Sequence, residues 1–172
     1  VVHYIGATSK SRSVVASLVA DLTVEGFKVT VIDISSLSTI NQDFPPAWLA
    51  LVLGHRVYPQ AFETELARLG ASLLRLKSSS DVGEVGAEHE NTLKQAVRSE
   101  LLTYFRNSSI PPSREASTLE HKLSQRMTAV YHALNALWEQ DLPDLVLIPN
   151  GRTSRQKAAR VVAESHGIEV QL

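Results

Sequence analysis

The chain has 172 residues, of which 44% are hydrophobic and 20% are charged, and its formal net charge is −1. This is the composition of an ordinary globular domain, and the near-neutral balance argues against a polybasic nucleic-acid or membrane binder. Cysteine is absent, which excludes disulfides, thiolate nucleophiles and cysteine-ligated zinc and suits a reducing cytoplasm.

Membrane and targeting signals are not visible in the sequence. It lacks a run of about 18 apolar residues that could span a bilayer, and its first residues lack the basic flank of a signal peptide. We therefore expect a cytoplasmic protein. Because the sequence starts with Val and ends in "VQL", which is typical of a strand, we interpret it as a domain excised from a longer protein.

The first 35 residues have the pattern of a β-α-β unit. "VVHYIGATSK" is typical of a buried strand that ends in a turn of small residues. A helix is predicted next from apolar residues at helical spacing, namely Val14, Val15, Leu18, Val19 and Leu22. Gly26 is expected to end this helix, and the β-branched stretch 29–34 predicts a second strand.

The middle of the chain is less regular. Residues 47–53, "AWLALVL", fit either a strand or a short buried helix, because periodicity cannot decide over so few residues. "QAFETELARLG" predicts a helix and "ASLLRLK" a third strand. "SSSDVGEVG" predicts a polar loop.

Two longer helices are predicted over 91–106 and 117–139. The apolar face of the first consists of Leu93, Val97, Leu101, Tyr104 and Phe105. The second is predicted to begin at a capping box formed by Ser117 and Glu120. Its apolar stripe consists of Leu119, Leu123, Met127, Val130, Leu134 and Leu137. Because this stripe is short for a coiled coil, we favour a helix that packs on a sheet.

The end of the chain repeats the strand-helix-strand pattern. "DLVLIPNG" predicts a fourth strand and "IEVQL" a fifth. Thr153 and Gln156 form a second capping box, and Gly167 is expected to end the helix between the strands. The whole alternation predicts an α/β fold with a Rossmann-like, mainly parallel sheet of about five to six strands flanked by helices. The simplest strand order is 3-2-1-4-5.

In this order two basic loops meet between strands 1 and 4, where the strand order reverses and ligands usually bind. The loops are "GATSKSR" (6–12) and "PNGRTSR" (149–155), and each leads into the first turn of a helix. Cations are unfavourable there unless an anion is bound. We therefore predict a crevice for a phosphate, a carboxylate or an acidic sugar, or one facing a neighbouring domain. Its predicted ligand-binding residues are Thr8, Ser9, Lys10, Arg12, Asn150, Gly151 and Arg152.

A structural interpretation of these loops stays open. Asn150 and Gly151 are a common turn pair, and Arg155 and Lys157 could simply be solvated. The glycine patterns of a P-loop and of a dinucleotide site are absent. Without them we interpret Asp33, at the end of the second strand, as a cap of the next turn rather than a ribose ligand.

The sequence gives little indication of a metal site or of a catalytic histidine. The six histidines have no metal-binding spacing, so we expect neither a metal nor a cofactor. His55, in the loop "GHRVYP", is the one weak candidate for a catalytic base, because the reference pKa of histidine lies near neutrality.

The C-terminal pattern resembles a known family. "VLIPNGR" (146–152), the helix "SRQKAARVVAESHG" and the strand "GIEVQL" are similar to the N-terminal domain of bacterial GT-B glycosyltransferases, including enzymes of capsular and other surface polysaccharide assembly. The match covers residues 145–172 well and the remainder only in outline. The family's Asn-Gly-Arg falls on Asn150, Gly151 and Arg152.

The resemblance implies that residues 1–172 are the acceptor-side half of a two-domain glycosyltransferase, inactive alone. Arg152 would hold an anionic group, and Asn150 would hydrogen-bond a sugar hydroxyl. The implied partners are a missing C-terminal donor-binding domain, a sugar acceptor and a nucleotide sugar held by the other domain. From the net charge we expect no nucleic-acid partner. The class allows peripheral membrane contact. The alternative is a non-catalytic, phosphate- or nucleotide-binding Rossmann-like regulatory module that docks partners on its long helices.

Overall fold

A computed structural model describes residues 1–6, 12–34, 60–76, 85–149 and 153–171. The strands are β1 (Val2–Ile5), β2 (Val29–Asp33), β3 (Ser72–Arg75), β4 (Leu145–Leu147) and β5 (Glu169–Gln171). The helices are α1 (Arg12–Val24), α2 (Gln60–Arg68), α3 (Ala87–Phe105), α4 (Arg114–Trp138) and α5 (Ser154–Ser165). This confirms the predicted α/β class. Residues 47–53 lie outside the described residues.

The five strands form one parallel sheet in the order β3-β2-β1-β4-β5, as the sequence predicted. β1 is central, and Val2 pairs with Val29 on one side and with Leu145 on the other. Gly26 and Gly167 have φ values of 87° and 69° after α1 and α5. This left-handed backbone is what glycine tolerates at the end of a helix, so both predicted helix ends are confirmed.

Both faces of the sheet are covered. Side chains alternate along a strand, so Tyr4 and Ile5 of β1 belong to different apolar clusters, as do Val31 and Ile32 of β2. One cluster packs the sheet against α1 and α2. The larger cluster packs it against α3, α4 and α5. The predicted stripe of α4 belongs to the larger cluster, which confirms packing on a sheet over a coiled coil.

The starts of the two long helices differ from the prediction. α3 begins at Ala87 rather than residue 91, and α4 begins at Arg114. Ser113 caps α4, because its hydroxyl accepts a hydrogen bond from the Ala116 amide at 3.1 Å. The predicted box at Ser117 is therefore wrong, and Ser117 lies one turn inside the helix. A proline pair, Pro111-Pro112, directly precedes the true cap. Helical backbone is unfavourable for a residue that precedes a proline, so a helix is expected to begin only after the pair.

The predicted apolar face of α3 is mostly confirmed. Leu93, Val97 and Leu101 are buried, but Tyr104 is 60% exposed. Tyr104 lies in the last turn of α3, where the next residue, Phe105, is the one that packs against the larger cluster.

Helices α3 and α4 extend past the carboxyl edge of the sheet. Glu100 of α3 bonds the first residue of α5, which follows the carboxyl end of β4. Trp138, at the end of α4, bonds His3 within β1. The part of this helix pair between Glu100 and Arg126, which we call the helical arm, therefore lies beyond the edge. The 12 residues from Arg126 back to Arg114 span about 18 Å of helix.

None of the described helices is long and apolar enough to cross a membrane.

Candidate functional site

The predicted ligand crevice lies at the carboxyl ends of β1 and β4, which are adjacent strands. The residues predicted to line it are outside the described part of the chain: Thr8, Ser9, Lys10, Asn150, Gly151, Arg152 and the candidate base His55. Arg12 is the first residue of α1, and its side chain is not described. These assignments stay predictions, although the strand order they depend on is confirmed.

Four charged side chains near the carboxyl edge of the sheet are linked by electrostatic interactions that centre on Arg155. They come from four elements and form what we call the ionic cluster: Asp33 of β2, Glu100 of α3, Arg126 of α4 and Arg155 of α5. Asp33 is fully buried, and the other three are partly buried. Two carboxylates and two guanidinium groups balance in charge, which allows such groups to leave bulk water together.

The electrostatics of the two arginines show how closely the cluster is coupled. Burial lowers the pKa of Arg155, while the charges of Glu100 and Asp33 raise it. Burial and the like charge of Arg155 lower the pKa of Arg126, and Glu100 opposes that shift. Glu100 therefore interacts with both guanidinium groups. An arginine stays protonated at neutral pH even when its pKa is lowered, so both remain hydrogen-bond donors.

Glu100 also occupies the amino end of α5. Its Oε2 accepts a hydrogen bond from the Ser154 backbone amide at 2.7 Å. A carboxylate at this position satisfies an amide that the helix cannot use and lies at the positive end of the helix macrodipole. The anion that the sequence led us to expect at this helix start is thus supplied, at least in part, by α3 of the same chain.

The second predicted capping box is confirmed at α5. The Gln156 amide donates to Thr153 Oγ1 at 3.3 Å, and Gln156 Oε1 accepts from the Thr153 amide at 3.2 Å. Gln156 Nε2 also donates to the carbonyl oxygen of Pro149 at 2.5 Å. Gln156 therefore bonds both Pro149 and Thr153, the residues that flank the predicted Asn150, Gly151 and Arg152.

These contacts correct the interpretation of Arg155 as a solvated side chain and leave that of Asp33 as a cap untested. Arg155 is not simply solvated, because it is partly buried and faces two carboxylates. Asp33 is fully buried and acts on Arg155; the turn that it was expected to cap lies outside the described residues. Sequence reasoning did not predict Glu100 or Arg126. Each lies three residues after a buried apolar residue, Val97 or Leu123, which is a position at the border of an apolar helix face.

The described histidines lie elsewhere. His3 is buried in β1, and its Nδ1 accepts a hydrogen bond from Trp138 Nε1 at 3.0 Å. Within the described ranges, no group of histidine and acidic side chains could hold a metal ion.

Two cavities lie between α3 and α4. One, of about 430 Å³, is lined by residues that include Leu93, Lys94 and Met127. The other, of about 410 Å³, is an open groove on the helical arm, which we call the arm groove. Its lining residues are Tyr104, Arg114, Glu115, Thr118, Leu119 and Lys122.

Comparison with known proteins gives one informative likeness. The sequence matches no known family, and no curated protein matches it either. Among solved structures, the fold is similar to that of a CDPS, a cyclodipeptide synthase, from Fluoribacter dumoffii. The TM-score is 0.55 at 12% sequence identity, and the alignment covers 98% of this chain and 87% of that one. At this identity the likeness concerns the fold.

This likeness overturns the expected family. The structural neighbour is a cyclodipeptide synthase, not a GT-B glycosyltransferase domain, so the glycosyltransferase assignment and the role in polysaccharide assembly are wrong. The comparison does not support the alternative of a regulatory module either. The physical reason is that a strand, a capped helix and another strand are the repeating unit of parallel α/β sheets, which serve many unrelated reactions.

Proposed function

We propose that this chain is an enzyme that uses aminoacyl-tRNA and joins two aminoacyl groups into a cyclic dipeptide. The observation that supports this most is the fold likeness to a cyclodipeptide synthase, an enzyme that depends on tRNA, over nearly the whole of both chains. An alignment of 98% of this chain includes the helical arm as well as the sheet. The sheet is common to many functions, whereas a helix pair extending past it is a more particular feature.

The reaction needs no redox partner or other co-reactant. The α-amino group of one aminoacyl ester attacks the ester carbonyl of the other; a peptide bond forms, the ester C–O bond breaks, and the first tRNA leaves with its hydroxyl restored. The amino group of the dipeptide then attacks the remaining ester carbonyl, closes the ring and releases the second tRNA. Each attack places negative charge on a carbonyl oxygen, so the site must supply hydrogen-bond donors there.

The ionic cluster offers such donors at the edge where parallel α/β sheets bind ligands. Arg126 and Arg155 are partly exposed and remain protonated at neutral pH. In this proposal they face the developing oxyanion or the terminal phosphate of the tRNA, while Glu100 and Asp33 hold them in place. The loops that contain Thr8 to Lys10 and Asn150 to Arg152 would complete the same crevice.

The test is a transfer reaction. The purified chain is incubated with bulk tRNA charged with labelled amino acids, and the products are analysed by mass spectrometry. We expect cyclic dipeptides and an equivalent release of uncharged tRNA. Aminoacyl-tRNA with an acetylated α-amino group should give no product, because its nucleophile is blocked. Loss of label only as free amino acid, at the rate seen without protein, would refute the proposal.

A matched pair of arginine variants on α5 sharpens this test. Arg155→Ala removes a donor of the ionic cluster, and we expect a rate loss on the order of 10²-fold or more. Arg160→Ala removes an exposed cation that pairs with Glu164 on the same helix, and we expect no change. Circular dichroism of both variants verifies that they are folded, so that a loss of rate can be assigned to the missing hydrogen-bond donor.

This proposal departs from the expectation that nucleic acid is not a partner. That expectation came from the net charge of the whole chain, which gives no information about local clusters of cations.

A further inference from the structure

The amino end of α5 has the donors of an anion site, and a side chain of the same molecule fills it. The Ser154 amide donates to Glu100 Oε2 at 2.7 Å, and Glu100 comes from α3. The guanidinium groups of Arg126 and Arg155 interact with the same carboxylate. Amides at a helix start, the positive end of the macrodipole and arginines are the groups with which proteins bind phosphate. Glu100 therefore occupies a place whose donors also suit a phosphate group.

The hydroxyl of Ser154 is a donor that Glu100 does not use. Ser154 is fully buried, and its Oγ has no hydrogen-bond partner among the described residues. Because side-chain bonds in an α-helix tilt toward the amino terminus, the Oγ of this first helical residue is directed to the same end as its amide. A buried hydroxyl without a partner is unfavourable. This unused donor is a second, independent indication that an acceptor binds at the amino end of α5.

Charge balance favours the exchange of Glu100 for another anion. The ionic cluster has two carboxylates and two guanidinium groups. With Glu100 turned away, Asp33 is the one carboxylate of the cluster that remains, so the two arginines carry one excess positive charge beside the helix macrodipole. A single phosphate group restores the balance. Glu100 is partly exposed, and its side chain can change rotamer toward solvent while α3 stays in place.

We propose that Glu100 is an internal inhibitor of a phosphate-binding site at the amino end of α5, and that a phosphate group displaces it from the Ser154 amide. The phosphate then accepts hydrogen bonds from the amide and the hydroxyl of Ser154 and from Arg155. Because a carboxylate is already in place, the site excludes ligands that bind no better than a carboxylate and selects phosphate. Only the identity of the molecule that carries the phosphate rests on the proposed function.

The displacement is followed by the amide resonance of Ser154 in spectra of the full chain. Inorganic phosphate is titrated at constant ionic strength, and acetate is the matched carboxylate probe. We expect the Ser154 resonance to shift saturably with phosphate and to stay in place with acetate. A resonance that does not respond to phosphate, in the native chain and in Glu100→Gln alike, would overturn the proposal.

Glu100→Gln tests the inhibition itself. The variant keeps the size of the side chain and an acceptor for the Ser154 amide but removes the charge. It should bind phosphate about tenfold more tightly, because a hydrogen bond to a neutral acceptor is weaker by about that factor than one to a charged acceptor. Glu164→Gln removes an exposed carboxylate that pairs with Arg160 on α5, and it should leave the affinity unchanged. Equal phosphate affinity in the native chain and in Glu100→Gln would contradict the inhibition.

Ser154→Ala separates a ligand contact from a structural contact. The variant loses the hydroxyl and keeps the amide. If the hydroxyl binds phosphate, the variant should unfold at the same urea concentration as the native chain and bind phosphate about 2- to 10-fold more weakly. A loss of stability with unchanged phosphate affinity would show that the hydroxyl serves the fold, and it would overturn the assignment.

The outcomes also separate this proposal from the proposed function. Phosphate binding that depends on Ser154 and Glu100, without formation of a cyclic dipeptide, would support the inhibited site and overturn the enzyme. Formation of a cyclic dipeptide without any response of Ser154 to phosphate would overturn the inhibited site and leave the enzyme standing. Circular dichroism verifies that each variant is folded.

Discussion

The two faces of the sheet differ in what they bury. The face covered by α1 and α2 is a small apolar cluster of mostly aliphatic side chains. The face covered by α3, α4 and α5 is larger and contains the indole of Trp138 with its hydrogen bond to His3. It also continues at the carboxyl edge into the ionic cluster. The α1–α2 face is therefore an apolar core only, whereas the α3–α5 face connects the core to the candidate site.

The difference has a thermodynamic consequence. Apolar packing tolerates changes of side chain when volume is kept, whereas buried polar groups require their particular partners. We therefore expect the α3–α5 face to respond to substitution more strongly and more specifically than the α1–α2 face. Four experiments follow, from the largest expected effect to the smallest; the first compares the two faces directly, and the others test polar contacts on the α3–α5 side.

Trp138→Ala should destabilise the protein by about 3–5 kcal/mol, because it removes a fully buried indole from the larger face and leaves His3 without its partner. Leu66→Ala makes a similar truncation on the smaller face and should cost about 2–5 kcal/mol. Leu142→Ala, at an exposed leucine, should cost less than about 0.5 kcal/mol. Urea unfolding gives all three values. A larger loss for Leu66→Ala than for Trp138→Ala would contradict the contrast.

Glu100→Ala should lower the free energy of unfolding by about 1–3 kcal/mol, because it removes a charged hydrogen-bond acceptor from Ser154 and an anion from two arginines. The matched change is Glu164→Ala, which breaks an exposed pair with Arg160 on α5 and should cost about 0.3–0.5 kcal/mol. Both are compared by thermal unfolding. Equal losses of unfolding free energy would mean that Glu100 stabilises the protein no more than an exposed salt bridge does.

Acid should weaken the larger face through His3. Burial lowers the pKa of His3 below its ordinary value of 6.5, and the nearby Asp141 opposes this. The unfolded chain therefore takes up the proton first, so stability is fully present above about pH 6.5 and is lost as the pH falls toward the lowered folded pKa. The slope from one such group cannot exceed about 1.4 kcal/mol per pH unit.

The comparison for this effect is His3→Gln, which can still accept from the indole but does not titrate. We expect the difference in unfolding free energy between the native chain and this variant to fall as the pH goes from 7.5 to 5. A constant difference would contradict this, because it would show that His3 binds protons equally in the folded and unfolded states.

Ser113→Ala should cost about 1 kcal/mol, because it removes the side chain that caps α4. Ser117→Ala should change stability by no more than about 0.5 kcal/mol, because Ser117 is an exposed residue inside the helix. Unfolding in guanidinium distinguishes the two. A larger loss of stability for Ser117→Ala than for Ser113→Ala would support the helix start at Ser117 that the sequence predicted.

Much of the fold could be predicted from sequence because local pattern determines it. The strand order followed from the alternation of strands and helices, and the stripe of α4 followed from its spacing. The start of α4 was missed because Ser113 and Ser117 are both good caps by residue type. Tyr104 was placed on the apolar face because helical spacing alone does not reveal which residues of the last turn are covered in the folded protein.

The ionic cluster could not be predicted in the same way. Asp33, Glu100, Arg126 and Arg155 come from four separate elements, and only the tertiary packing brings them together. Sequence reasoning correctly noted that Arg155 needs an anion, but it looked for a ligand and not for a carboxylate on another helix. The family was missed because the matching motif was a feature of parallel sheets in general.

The central position of β1 also determines the order of assembly. β2 follows β1 after one helix, whereas β4 is made only after α4 has been completed. During synthesis on the ribosome, one edge of β1 therefore has no neighbouring strand until most of the chain has emerged, while α3 and α4 can already pair through contacts close in sequence. Closing the sheet is then the slow, late event. Until it occurs, an unpaired apolar strand is open to association with other nascent chains.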